Sequence, residues 1–153
     1  MSATLFIVAG LPGVGKSTRA AVLEAETGAV RMEPDAWLAE LKLDIWDEER
    51  RARIETMQWR LGRRFLEAGV SVIVEWGTWG RDERLLLAHE AKTLGARAEL
   101  HWLTAPPGVM LERISRRGRE DPPIRLNHIH GWMSQIQAPQ ADELALYDRV
   151  VRQ

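Results

Sequence analysis

The residues best suited to chemistry form one short segment that follows an apolar run near the N-terminus. Residues 10–17 read Gly-Leu-Pro-Gly-Val-Gly-Lys-Ser, which fits the phosphate-loop pattern G-x-x-x-x-G-K-[ST]. Glycines in such a loop let consecutive N–H groups turn towards phosphate oxygens, where a side chain would clash. Lys16 can reach the β- and γ-phosphates, and the Ser17 hydroxyl can ligate Mg²⁺. The segment predicts a nucleoside triphosphate site.

One further observation refines the expected ligand. The chain has no Asn/Thr-Lys-x-Asp segment of the kind that GTPases use to bind guanine, which favours ATP, with Mg²⁺ as its metal. The expected phosphate-binding residues are Gly10, Leu11, Pro12, Gly13, Val14, Gly15, Lys16, Ser17 and Thr18.

Alternating strand and helix patterns surround this loop and have to position it. Residues 4–9 are a short apolar run of the kind found in strands that are buried on both faces, and a helix is expected from Lys16 to about Thr27. Further strands are expected at 29–32, 70–75, 97–103 and 147–151, and further helices at about 47–68, 82–94, 106–117 and 126–136. Strands that alternate with long helices predict a parallel sheet with helices on both faces.

The composition describes one ordinary globular domain. The 153 residues are 45% hydrophobic and 28% charged, which is enough for a substantial core, so we expect a single domain over residues 1–153. The net charge of −1 is against general binding to nucleic acid or anionic membranes. The sequence has no cysteine, which excludes disulfides and thiolate metal sites. The apolar run 4–9 is too short to span a bilayer, so we expect a cytoplasmic protein.

The order of these features resembles one group of small nucleotide-dependent enzymes. The loop 10–18, Asp35 near the end of the second strand and the pair Arg113-x-x-x-Arg117 before a polar loop look like the small P-loop kinases. That group includes chloramphenicol phosphotransferase, the zeta toxins, gluconate kinase and the kinase domain of polynucleotide kinase. Gln137-Ala138-Pro139 and Asp142-Glu143 also resemble this group.

The resemblance implies a fold and a way of binding two substrates. It implies a three-layer P-loop fold with a five-stranded parallel sheet in the order 2-3-1-4-5. ATP and the acceptor would bind opposite each other across the carboxyl ends of the strands, where open α/β sheets commonly bind ligands. It also implies a lid around residues 113–124, in which Arg113 and Arg117 close over ATP. Arginine suits this role because its planar guanidinium binds phosphate oxygens bidentately; Arg116 and Arg119 lie close by, and a solvated helix end is the alternative.

Three carboxylates are candidates for the general base that activates an acceptor hydroxyl. Asp35 matches the position at which the resembled kinases carry the aspartate that orients and deprotonates this hydroxyl. The alternative is that Asp35 only caps the following helix, in which case Glu33 could be the catalytic residue. Glu75 ends a strand, where P-loop proteins often hold an acidic residue that binds Mg²⁺; it could instead bind the acceptor or pair with an arginine.

The expected acceptor pocket lies beside the ends of the second and third strands. Trp37, Trp76 and Trp79 could stack on a ring of the acceptor, with Arg81 as a further contact, although buried tryptophan is more often plain packing. Polynucleotide kinases carry an arginine three residues after the catalytic aspartate, and Leu38 occupies that position here, so a nucleic-acid acceptor is not expected.

The sequence therefore favours an ATP-dependent kinase that phosphorylates a hydroxyl of a small molecule such as an antibiotic, a nucleoside or a sugar. Two other functions stay open. One is a nucleotide-dependent switch or weak ATPase that acts through a protein partner, for which the arginine-rich helix near residues 50–64 is the motive. The other is a toxin-like kinase of a nucleotide sugar.

Overall fold

A computed structural model describes residues 2–153, which form a five-stranded sheet with helices along the chain between the strands. The strands are β1 (Thr4–Ala9), β2 (Val30–Met32), β3 (Val72–Gly77), β4 (Arg97–Trp102) and β5 (Arg149–Arg152). The helices are α1 (Lys16–Thr27), α2 (Pro34–Glu40), α3 (Glu48–Glu67), α4 (Arg81–Thr93), α5 (Pro107–Arg117), α6 (Leu126–Gln135) and α7 (Ala141–Leu144).

The sheet has the expected topology. Its strand order is β2-β3-β1-β4-β5 and all neighbouring strands pair in parallel, which confirms the predicted 2-3-1-4-5 arrangement. The central strand β1 pairs with β3 and β4, so the phosphate loop that follows it starts from the middle of the sheet. The ends of β1, β2 and β3 therefore meet at one edge, the usual place for a ligand in such folds.

Two apolar clusters cover the two faces of the sheet. Leu5 and Ile7 of β1 belong to one cluster, whereas Phe6 and Val8 belong to the other, because successive strand residues point to opposite faces. This double burial explains why β1 reads as a continuous apolar run. Among residues 2–153 we find no helix that combines the length and the apolar character needed to cross a membrane.

Element boundaries differ from the sequence expectations by a few residues. The strand expected at 70–75 begins at Val72, because the Val70 N–H donates to the Phe65 carbonyl and completes the end of α3. The helix expected at 47–68 has Asp47 as its N-cap, with the side chain accepting from the Arg50 N–H at 3.0 Å. The last strand begins at Arg149 instead of residue 147, and the short helix α7 was not predicted.

Candidate active site

The phosphate loop joins the end of β1 to the start of α1. Its backbone has left-handed φ values of 82° at Gly13 and 104° at Gly15, which favour glycine. A Cβ atom at Gly13 would lie 2.7 Å from the backbone oxygen of Met110, so any side chain there would collide with α5. The loop therefore has the glycine-dependent backbone that a phosphate cradle needs, and it packs tightly against α5.

Lys16 lies over this loop. Its Nζ atom donates hydrogen bonds of 2.9 Å to the carbonyl oxygens of Gly10 and Leu11. An ammonium group has three N–H donors, so one donor stays available for a phosphate oxygen. Burial lowers the pKa of Lys16 to about 8, and this loss of solvation outweighs the opposing effect of the Glu75 carboxylate.

Ser17 and Glu75 bring two oxygen atoms together at the start of α1. The Ser17 Oγ donates to Glu75 Oε1 at 2.7 Å, and the buried Glu75 also accepts from Arg31 Nε at 3.0 Å through its other oxygen. Hydroxyl and carboxylate oxygens are the donors that Mg²⁺ prefers, and two protein ligands leave room for phosphate and water in an octahedral shell. The pair therefore fits Mg²⁺. Within residues 2–153 no group of three or more His, Cys, Asp and Glu side chains forms another candidate metal site.

Asp35 lies in the first turn of α2 and is held by an arginine. The N-cap of α2 is Glu33, without a side-chain cap hydrogen bond, so the hypothesis that Asp35 caps the helix is wrong. Instead, Arg51 of α3 donates from Nη1 to the Asp35 carboxylate, and its Nε lies 3.8 Å from Glu55. This contact fixes the direction of the Asp35 side chain at the wall of the cavity.

Glu33 has a different environment. Its nearest cation is Arg31, at 3.5 Å, and Arg31 also binds Glu75. Burial raises the pKa of Glu33, and the neighbouring Glu75 adds to the increase. Glu33 is therefore less well neutralised than Glu75.

Arginines surround the nucleotide end from the side of α5 and the loop after it. Those that line the cavity are Arg113, Arg116, Arg117 and Arg119. Arg113 Nη1 donates to the Gly13 carbonyl at 3.0 Å, which ties α5 to the phosphate loop. Arg117 lies 3.8 Å from the Glu120 carboxylate and has no closer ion pair among the described residues. Both predicted arginines therefore lie where they can reach bound phosphate groups.

One cavity of about 790 Å³ brings most of the predicted residues together. Its lining includes Pro12, Gly13, Gly15, Lys16, Ser17, Thr18, Asp35, Glu75, Trp76, Trp79, Arg113 and Arg117. Gly10, Leu11 and Val14 do not line it; Leu11 and Val14 belong instead to the apolar cluster beneath the loop.

The structure does not bring Trp37 or Arg81 to this cavity. Arg81 instead forms an ion pair with Asp142 at 2.7 Å. The side chain of the first residue of a helix can point away from the strand end that precedes it, and the sequence spacing alone does not reveal this direction.

Sequence reasoning missed several residues that line the cavity. They are the charged residues Arg51, Glu55 and Glu83, and the wall residues Ile45, Trp46, Thr78, Ile124 and Trp132. Arg51 and Glu55 lie four residues apart on one helix, which signals an ion pair but does not tell which helix face meets a cavity. Trp46 and Trp132 are two of seven tryptophans, and nothing in the sequence around them indicated that they line the cavity.

Aromatic rings form a continuous row beside the cavity, and three of them, Trp46, Trp79 and Trp132, line it. Trp46 lies 6.1 Å from His128, His128 lies 6.4 Å from Trp132, and Trp132 lies 6.2 Å from Trp79, measured between ring centroids. These rings come from the loop before α3, from α6 and from the loop after β3. Three separate segments thus meet at this side of the cavity.

A buried ion pair holds the last of these segments in place. Arg84 of α4 binds Glu143 through two hydrogen bonds of 2.8 and 2.9 Å, and both side chains are fully buried. The same guanidinium donates to the carbonyl oxygens of Thr78 at 2.9 Å and Trp79 at 3.0 Å. The buried pair therefore anchors the loop that carries Trp79, and the resemblance noted at 142–143 has a structural basis here.

Comparisons with known proteins agree with this architecture. Residues 5–139 match a protein family described as AAA domain. No curated protein matches the sequence closely enough to count as a relative.

Solved structures of similar fold include several kinases. A gluconokinase from Sinorhizobium meliloti 1021 shares 18% identity over 97% of this chain and 81% of its own, with a TM-score of 0.62. A sugar kinase from Janibacter sp. HTCC2649 shares 21% identity over 99% and 86% of the two chains, with a TM-score of 0.67. Kti12 from Chaetomium thermophilum, in complex with ADP-AlF3, shares 18% identity over 97% and 88%, with a TM-score of 0.73. The chain belongs to the AAA domain family, and its fold is that of the small P-loop kinases.

Proposed function

We propose that this protein is an ATP-dependent kinase that transfers the γ-phosphoryl group of ATP to a hydroxyl group of a small molecule. The observation that carries this proposal is the presence of two kinds of group in one cavity: a phosphate loop with Lys16, and the carboxylate Asp35 held by Arg51. A nucleotide-binding switch needs the first group but has no use for the second.

The nucleotide end supplies positive charge and backbone donors. The loop at residues 10–18 would bind the β- and γ-phosphates, with Lys16 using its free N–H donor on them. Arg113 and Arg117 would cover the transferring group from the C-terminal half of α5, within the proposed lid around 113–124. Charge develops on the transferring group, so donors that are already in position lower the barrier.

Ser17 and Glu75 would hold the metal. When bound there, Mg²⁺ neutralises phosphate charge and orients the phosphate chain. Ser17 contributes its hydroxyl oxygen, and Glu75 contributes a carboxylate directly or through water. Arg31 keeps Glu75 in place through the 3.0 Å hydrogen bond to its other oxygen.

Asp35 would orient the acceptor hydroxyl and accept its proton. In this reaction the acceptor oxygen forms a bond to the γ-phosphorus, the bond between the γ-phosphorus and the β,γ-bridging oxygen breaks, and ADP leaves. The acceptor's proton passes to the Asp35 carboxylate. Arg51 fixes that carboxylate, so the geometry is set before the acceptor binds.

The test is phosphoryl transfer from ATP with Mg²⁺ to a panel of nucleosides, sugars and aminocyclitol or aryl antibiotics, measured as phosphorylated product. Asp35→Asn should lower the rate by about 10²- to 10⁴-fold without weakening ADP binding, since it removes only the base. Glu24→Gln, on the exposed side of α1, is the control. ATP hydrolysis that needs no acceptor and is the same in Asp35→Asn would refute the proposal.

A further inference from the structure

Charges are unevenly distributed along the cavity. Five of its six cationic side chains belong to the phosphate loop, α5 and the loop after α5, which form the nucleotide end: Lys16, Arg113, Arg116, Arg117 and Arg119. The acceptor end is formed by α2, α3 and the start of α4, and it carries Glu33, Asp35, Glu55 and Glu83 with Arg51 as its cation. The acceptor end is therefore acidic.

The arginines near the acceptor end do not neutralise these carboxylates. Arg51 is shared between Asp35 and Glu55, and its Nε atom lies 3.8 Å from the nearer Glu55 oxygen. Arg31 is shared in the same way between Glu33 and Glu75. Glu83 has neither a hydrogen bond nor an ion pair with any residue in the range 2–153. Carboxylates in excess of cations remain at this end.

The row of tryptophans adds a second, independent feature. Trp46, Trp79 and Trp132 line the cavity together with Trp76, and aromatic faces attract cations as well as flat rings. Thr78 lies between Trp76 and Trp79, is 2% exposed, and its hydroxyl has no hydrogen-bond partner among the described residues. Its φ of 45° is rare for a β-branched residue. Unsatisfied polar groups and strained backbone of this kind cluster at ligand sites.

We propose that the acceptor is a hydroxylated molecule that carries a protonated amine on or next to a ring, with the ammonium group bound by Glu55 and Glu83 and the ring against Trp46, Trp79 and Trp132. This inference rests on the proposed kinase function, because it names the acceptor of that reaction. Acidic acceptors, such as sugar acids and phosphorylated sugars, would be repelled by the same carboxylates.

The protonation of the carboxyl groups agrees with this assignment. The pKa of Glu55 is raised to about 7, mainly by burial; Arg51 opposes this increase, and the charges of Glu83 and Asp35 add to it. Burial also raises the pKa of Glu83. Buried carboxylates without a full partner are costly, and a bound ammonium group would supply the missing charge.

Matched pairs of ligands test the inference without requiring catalysis. Tryptophan fluorescence would be titrated with kanamycin A, with glucosamine, with the N-acetylated form of each, and with gluconate. Acetylation keeps the ring and hydroxyl groups but removes the positive charge. We expect an amine to bind at least about tenfold more tightly than its acetylated form, the value of one hydrogen bond to a charged group, and gluconate not to bind.

Variants assign the effect to the two carboxylates. Glu55→Gln and Glu83→Gln should each weaken amine binding about tenfold and leave ADP binding unchanged. Glu49→Gln is the matched control on the same helix, since the side chain of Glu49 is 81% exposed and away from the cavity. Thermal unfolding of each variant checks that the fold is intact.

The outcomes separate this inference from the kinase proposal. Three results would overturn the inference, whatever the protein does with ATP. The amines and their acetylated forms could bind equally well, none of the amines could show saturable binding, or both glutamine variants could bind the amines as the wild type does. Tight, charge-dependent binding of an amine that is never phosphorylated would sustain the amine site and refute the kinase. Failure of the wild-type protein to bind ADP with Mg²⁺ would refute the kinase function alone.

Discussion

The Ser17 hydroxyl and the Glu75 carboxylate lie 58 residues apart in the sequence and 2.7 Å apart in the structure. The pairing of β1 with β3 makes this contact, because the phosphate loop leaves one strand where Glu75 lies near the end of the other. A hydrogen bond between them sets two oxygens at a fixed separation before any ligand binds. It is the basis of the first prediction.

Removal of the Ser17 hydroxyl should impair the use of Mg²⁺. We expect Ser17→Ala to lower the transfer rate by about 10²- to 10³-fold and to raise the Mg²⁺ concentration needed for half of the maximal rate. Ser17→Thr keeps the hydroxyl and should retain most activity. Initial rates over a series of Mg²⁺ concentrations measure this, and a wild-type Mg²⁺ dependence in Ser17→Ala would show that Ser17 does not hold the metal.

Loss of the Arg117 guanidinium should slow the transfer of the phosphoryl group. Arg117→Met is expected to lower kcat about a thousandfold, with a smaller effect on ADP binding, since charge develops mainly in the transition state. Arg53→Met is the control because Arg53 is an exposed α3 residue that pairs with Glu49 on the same helix. If Arg117→Met changed ADP affinity and kcat by the same factor, Arg117 would act in ground-state binding only.

Gly13 should tolerate alanine less well than Gly28. Both have left-handed φ values, 82° and 70°, so alanine costs about 1–2 kcal/mol of backbone strain at either position. A Cβ at Gly13 would meet the Met110 backbone at 2.7 Å, whereas none of the surrounding atoms lies within 4 Å of a Cβ at Gly28. Urea unfolding should therefore show a larger loss for Gly13→Ala, accompanied by weaker ADP binding. Equal losses with normal ADP binding would contradict this packing argument.

The buried Arg84–Glu143 pair should contribute more to the free energy of unfolding than the exposed Arg81–Asp142 pair. Arg84→Met leaves a buried carboxylate without its partner and should cost about 3–5 kcal/mol. Arg81→Met removes a pair whose Asp142 side chain is 71% exposed, so we expect a much smaller loss of stability. Urea unfolding at neutral pH measures both, and similar losses would show that the buried network does not anchor the loop.

The buried Arg84–Glu143 pair also predicts a pH dependence of stability. Burial alone would raise the pKa of Glu143, but hydrogen bonds from Arg84 and Tyr147 hold it below its ordinary value of 4.5. A lowered carboxyl pKa stabilises the folded state above pH 4.5, and this stabilisation disappears as the pH falls through the folded-state pKa. The double variant Arg84→Met/Glu143→Leu should lose this part of the acid dependence. An unchanged slope of unfolding free energy between pH 5 and 3, about the range over which a carboxylate titrates, would contradict it.

The sheet and the nucleotide end could be predicted because their signals are local. The apolar run of β1 is continuous, since its residues alternate between two buried faces, and the glycines of the phosphate loop follow it directly. A single segment of the sequence thus contained the strand, the turn and the start of α1. Arg113 and Arg117 were candidates because their spacing resembles that of the lid arginines in the small P-loop kinases.

The acceptor end could not be predicted in the same way because it is assembled from distant segments. Trp46, Trp79 and Trp132 meet only after three separate connections have folded. Arg51 reaches Asp35 across 16 residues, and the direction of its side chain depends on how α3 packs against α2. Trp37 and Arg81 show the converse, since both follow strand ends closely yet neither lines the cavity.

The contact between the phosphate loop and α5 also bears on which part of the proposed lid, residues 113–124, can move. Gly13 packs against the Met110 backbone and its carbonyl accepts a hydrogen bond from Arg113, so we expect the loop and α5 to move as one unit. The unit ends at Gly118, which closes α5 with a φ of 63°. We therefore expect the proposed lid to close by a motion of residues 119–124, with Arg113 and Arg117 already in place on α5. The signal of a spin label at Arg119 should change when nucleotide binds, whereas that of a label at the exposed residue Glu112 on α5 should not.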